Sequence, residues 1–187
     1  MKCVTDLMPQ TGKNRFTVNI ALISIFSALW VALNLTVAPL GFSLLGTPLI
    51  HSVIIFLVLL LVTWATGQFG SATSVGIIGS AIVLLAGGPL PVLGFVPAAF
   101  LFDLVLLLNH HKVNLKLINI GIIVFASVVC AYVAAVVNGL LILNLAWMFV
   151  LTIWAGWTVL GGLIGVVVTL PIIGVLEKAQ VKKVQTD

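Results

Sequence analysis

Between Phe16 and Phe102 the chain carries no Asp, Glu, Lys or Arg, and a second uncharged stretch runs from Leu117 to Leu176. Within both, apolar residues come in long runs rather than alternating with polar ones. A helix needs about 20 apolar residues to cross a bilayer, whereas a membrane barrel strand needs about 10 in alternation. The pattern therefore predicts helices. Breaking the runs at Pro, Gly and polar clusters gives six, at about 16–38, 49–66, 71–86, 92–108, 115–137 and 147–176. The sixth is long and is expected to end or bend near Pro171. The first run is too long for the apolar core of a cleavable leader, so it is read as a retained span.

Composition sharpens this picture. Of 187 residues 62% are hydrophobic and 6% charged, and the mean hydropathy is +1.35. A soluble domain is roughly a quarter charged. The expected fold is thus an all-α membrane protein, a single domain built as a six-helix bundle in a lipid bilayer.

Charge then sets the orientation. With six spans starting inside, Lys2, Lys13, Arg15, Lys112, Lys116, Lys178, Lys182 and Lys183 all fall on one side. Basic residues prefer the cytoplasm, so both termini are expected there, in the plasma membrane of a prokaryote. Five spans would split the basic residues between the two sides. The same distribution, at span ends, explains the pI near 9.4 without a nucleic-acid partner. Cys3 and Cys130, in a tail and in mid-span, are not placed to form a disulfide.

The three outward connections carry no charge: residues 39–48 read PLGFSLLGTP, 87–91 read GGPLP and 138–146 read NGLLILNLA. Connections so apolar are expected to fold down over the bundle, either as a lid on a cavity or as plain interfacial packing.

Few residues offer chemistry. Thr17, Ala21, Ser24, Ala28 and Ala32 form a small-residue stripe on one face of the first helix, suited to packing within the bundle or against another membrane subunit. Asn34, Thr47, His51, Asn138 and Asn144 are the sparse polar groups of the outward half, and they either bond one another or await a ligand. Trp147 and Trp64 are expected in the aromatic belts; Trp154 and Trp157 sit deeper, as core or as a ligand wall. Asp103, the acid inside a span, is expected to pair with Lys112 or Lys116, or to serve a proton pathway. His51 lacks companions for a metal site, and His110 and His111 lie at an inner helix end. No GxSxG, HExxH, paired carboxylates or Gly-Lys phosphate loop occurs, so no enzymatic activity and no cofactor are expected. A small enzyme using Asp103 and His110, or a purely structural membrane subunit, remain the alternatives.

Six short apolar helices, inward termini, apolar outer loops and the sequence Ala28-Leu-Trp-Val-Ala32 in the first helix together resemble the substrate-binding S component of energy-coupling factor (ECF) transporters. That resemblance implies capture of a vitamin or precursor from outside, docking through Ala21, Ser24, Ala28 and Ala32 on a transmembrane coupling (T) subunit, and power from paired ATP-binding cassette ATPases. The stretches Gly46-Thr47-Pro48-Leu49-Ile50-His51, Gly87-Gly88-Pro89 and Gly94-Phe95-Val96-Pro97-Ala98-Ala99 look similar to members that import thiamine precursors. The chain opens Met1-Lys2-Cys3, unlike the histidine-bearing start of nickel and cobalt members, which argues against metal. An outward half without charge suits a neutral, partly aromatic small molecule, hydrogen-bonded by Asn34, Thr47, His51, Asn138 and Asn144 and walled by Phe42, Phe95, Trp147 and Trp154.

Overall fold

The structure, a computed structural model, describes residues 12–108, 113 and 117–179. Six helices follow in order: α1 (Gly12–Leu45), α2 (Leu49–Thr66), α3 (Ser71–Leu85), α4 (Phe95–Leu107), α5 (Leu117–Ile142) and α6 (Trp147–Lys178). Among the described residues there is no strand. A 3-10 turn, Leu90–Gly94, leads into α4. The last turns of α5 (Val137–Ile142) and the second turn of α6 (Val150–Trp154) are π-helical. By length and apolarity five segments are able to cross a membrane: 16–45, 49–66, 90–107, 117–142 and 147–178. The 15-residue α3 is apolar but shorter.

Neither Pro39, where the first helix is expected to end, nor Pro171, where the sixth is expected to end or bend, terminates its helix. Pro39 lies inside α1 and Pro171 inside α6. A proline removes one backbone hydrogen bond, whereas ending a helix in an apolar medium strands several, so continuation wins. The first connection therefore shrinks from ten residues to Gly46, Thr47 and Pro48, after Gly46 closes α1 with φ +62° and its N–H 2.9 Å from the Phe42 carbonyl. Likewise most of 138–146 is helical rather than a folded-down lid; Leu44, Leu85 and Leu141 are largely exposed.

The core explains the ring order α1–α2–α6–α5–α4–α3, in which each helix packs on the next and α2 also presses on α3. Of α2, Ile55, Phe56, Val58, Leu59, Leu60 and Val62 are wholly buried, as befits a helix apolar on all sides. Close approach of α6 needs glycine. A Cβ on Gly161 would strike the Leu49 carbonyl and Ser52, and one on Gly165 would lie 2.7 Å from the Val53 carbonyl. On the outer surface Ile25, Phe125 and Val167 are each more than 60% exposed. Apolar surface on this scale fits a lipid environment rather than water.

The two ends differ. Connections 46–48, 87–94 and 143–146 gather at one end, called the His51 end. The opposite end holds Asn19, whose Nδ2 donates to Gln68 Oε1 (2.6 Å), and Trp64, whose Nε1 donates to Glu177 Oε1 (3.3 Å). Trp64 is thus buried and bonded to Glu177 of α6 rather than facing outward.

Candidate functional site

At the His51 end three elements bring polar side chains into an apolar interior. His51, in the first turn of α2, is 3% exposed; its ring lies 5.0 Å from that of Phe95, the first residue of α4, tilted 33°. Asn138, in the π-helical end of α5, packs its carboxamide on Gly94, where any Cβ would collide with Oδ1. Thr47, one turn before His51, completes the group. His51 Nε2, Thr47 Oγ1 and Asn138 Oδ1 are all buried and have no hydrogen-bond partner.

The π-helix contributes directly. An i→i+5 bond, from Leu143 N–H to the Asn138 carbonyl at 2.8 Å, widens the helix where Asn138 turns inward. The second π segment lies against the first, since a Cβ on Gly139 would meet the Val150 side chain at 2.6 Å. It carries Trp154, half-buried, 6.3 Å from the ring of Phe42 and 6.4 Å from that of Phe149.

Not every expected residue joins the group. Asn144 is exposed with φ 52°, and Trp147 is 60% exposed, as an interfacial residue would be. Trp157 is 40% exposed on the outer surface, not core, because Thr158, Gly161 and Gly165 occupy the inward face of α6. Asn34 is buried but lies deeper on α1: Gly41 is the residue level with Ile50 of α2, and seven residues place Asn34 about 10 Å further in. Ala21, Ser24, Ala28 and Ala32 are all exposed, so the small-residue stripe does not pack within this bundle.

Asp103 reaches across to a neighbouring helix. Its Oδ2 accepts from Thr73 N–H (2.7 Å) and Thr73 Oγ1 (2.6 Å), across from α4 to the first turn of α3. Gly70, which precedes α3, has no side chain to cap it, and Asp103 does so from the neighbouring helix. Lys112, Lys116, His110 and His111 lie outside the described residues. Sequence reasoning missed Trp30, wholly buried with Nε1 unpartnered; its place in the middle of α1 among apolar residues gave only a packing signal.

No three of His, Cys, Asp and Glu gather to hold a metal among the described residues. No family model matches the chain, and no curated protein or solved structure does either.

Proposed function

We propose that this chain is the substrate-capture subunit of an ATP-driven importer of the energy-coupling-factor type, specific for a neutral, partly aromatic vitamin or vitamin precursor. The observation that carries the reading is the uncharged group at the His51 end: a histidine, a threonine and an asparagine, each with a buried, unpartnered polar atom, beside the Phe95 ring. Leaving a buried donor or acceptor unsatisfied costs about 1–3 kcal/mol each. A ligand with its own donors and acceptors removes that penalty, and a planar one stacks on Phe95 or enters between Phe42 and Trp154.

In this reading the bundle crosses a prokaryotic plasma membrane six times, α3 included, with both termini cytoplasmic. Lys13 and Arg15 at the start of α1 and Lys178 at the end of α6 share the end opposite His51, in keeping with the preference of basic residues for the cytoplasm. The exposed Ala21, Ser24, Ala28 and Ala32 offer a surface on which a transmembrane coupling subunit packs closely. The chain itself performs no chemistry.

Affinity purification from the native membrane in mild detergent tests the reading. The expected result is a membrane partner and ATP-binding cassette ATPases in fixed ratio. Isolation of the chain with neither partner, under conditions that preserve other membrane complexes, overturns it.

A further inference from the structure

The inward face of α1 carries deeply buried polar groups among its apolar residues. Along it Ser27, Trp30 and Asn34 are each no more than 2% exposed, and each leaves one polar atom unpartnered: Ser27 Oγ, Trp30 Nε1 and Asn34 Oδ1. Spacings of three and four residues put all three on one side of the helix, over about 10 Å of its length. Asn19, further along the same side, has a fourth such atom, Oδ1, although its Nδ2 is bonded to Gln68. Leu22, Ile23, Phe26, Leu29 and Leu33 of the same helix pack on the apolar core around them, so packing alone does not call for these polar groups.

Two of these groups are held in place. The Asn34 carboxamide is anchored by Nδ2 donating to the Trp30 carbonyl at 2.9 Å, which leaves Oδ1 as a fixed acceptor. The indole is seated on α3, where a Cβ on Gly79 would come within 2.6 Å of Cδ1 and 3.1 Å of Nε1. Trp30 therefore cannot swing its N–H toward another partner without leaving its seat. A fixed donor and a fixed acceptor, four residues apart, with a hydroxyl one turn below, match a guest that accepts one hydrogen bond and donates another. A hydroxyl group does both; a simple ion does at most one, and an apolar guest neither.

We propose that the inward face of α1 holds an internal hydroxyl-binding seam, in which water or a small neutral alcohol bridges Trp30 Nε1–H to Asn34 Oδ1 and continues to Ser27 Oγ. The seam is separate from the His51 group and does not depend on the function proposed for it. Buried polar side chains facing the interior of a membrane bundle mark places where polar guests reside or pass. Its position, deeper than His51, gives the bundle a polar station at mid-depth.

Indole-15N-labelled protein in phospholipid nanodiscs provides the test, with the Trp30 resonance assigned by its loss in Trp30→Phe. The expected result is a cross-peak between the Trp30 indole proton and water, and exchange into D2O at least ~100-fold faster than the backbone amides of Leu59 and Leu60. Added glycerol then separates the two guests: a shifted Trp30 signal with the water cross-peak lost identifies a solute hydroxyl, and an unchanged spectrum identifies water. Asn34→Leu, checked for an unchanged thermal midpoint, is expected to abolish the water cross-peak. A Trp30 proton with no water cross-peak, exchanging as slowly as the α2 amides with and without glycerol, overturns the proposal. That outcome would leave ligand binding at His51 untouched.

Discussion

Asp103 on α4 holds the first turn of α3 through Thr73, accepting its backbone N–H at 2.7 Å and its hydroxyl at 2.6 Å. This contact replaces a local cap with one drawn from another helix. It ties the start of α3 to α4 at a point where Gly70 offers nothing. Substituting Asp103 by Asn keeps an acceptor and is expected to cost about 1 kcal/mol, whereas Asp103→Leu leaves the half-buried Thr73 donors without this acceptor and costs about 2 kcal/mol. Equilibrium unfolding in mixed micelles measures both. Ligand binding at the opposite end should survive Asp103→Asn; its loss would show that the carboxylate has a functional rather than a structural part.

The seam between α2 and α6 depends on the absence of side chains at Gly161 and Gly165. Gly165→Val is expected to destabilise the bundle by about 2 kcal/mol or more through overpacking against the Val53 carbonyl. Gly121 and Gly156 have open space where a Cβ would go, so Gly121→Ala and Gly156→Ala should stabilise by about 0.5–1 kcal/mol through backbone entropy. The paired comparison, read from the same unfolding curves, distinguishes close packing from a general sensitivity to glycine replacement.

His51 and Asn138 place function and stability in opposition. Replacing either with Leu removes a buried unpartnered group and is expected to raise the thermal midpoint of the ligand-free protein. The same changes should weaken ligand retention at least tenfold, since a site built to hydrogen-bond its guest loses a partner. Differential scanning fluorimetry with and without ligand reads both effects. Variants that are less stable when ligand-free would mean that these side chains support the fold rather than a guest.

Ala28 and Ala32 are exposed on α1, so enlarging them should leave the isolated subunit within about 0.5 kcal/mol of wild type. Ala28→Leu with Ala32→Leu is nonetheless expected to prevent copurification of the coupling subunit, because larger side chains hold the helices apart. Unfolding curves together with partner recovery check the prediction, and undiminished recovery counts against docking through this face.

Helix positions were legible because uncharged runs of span length are a strong signal, and the polar residues of the His51 end stood out against so apolar a background. Helix ends were less so. Pro39 reads as a break and Pro171 as an end or a bend from local rules, yet both helices continue, since the cost of stranding backbone groups in an apolar medium outweighs one missing hydrogen bond. The cap from Asp103 to Thr73 links positions thirty residues apart, and the bond from Trp64 to Glu177 more than a hundred, so no local pattern encodes either. Asn144 was expected at the site as one of the few outward polar groups and Trp147 as an outer-end aromatic; both are exposed instead. Trp30 escaped notice because the sequence marks an aromatic in an apolar run as packing, and only its orphaned N–H says otherwise.

Native mass spectrometry of the chain, purified from its own membrane without added ligand, tests the capture function most directly. The account predicts a fraction carrying one uncharged small molecule, released on collisional activation and absent from His51→Leu and Asn138→Leu. A single ligand-free mass for the wild type, or a bound molecule equally retained by both variants, would contradict it.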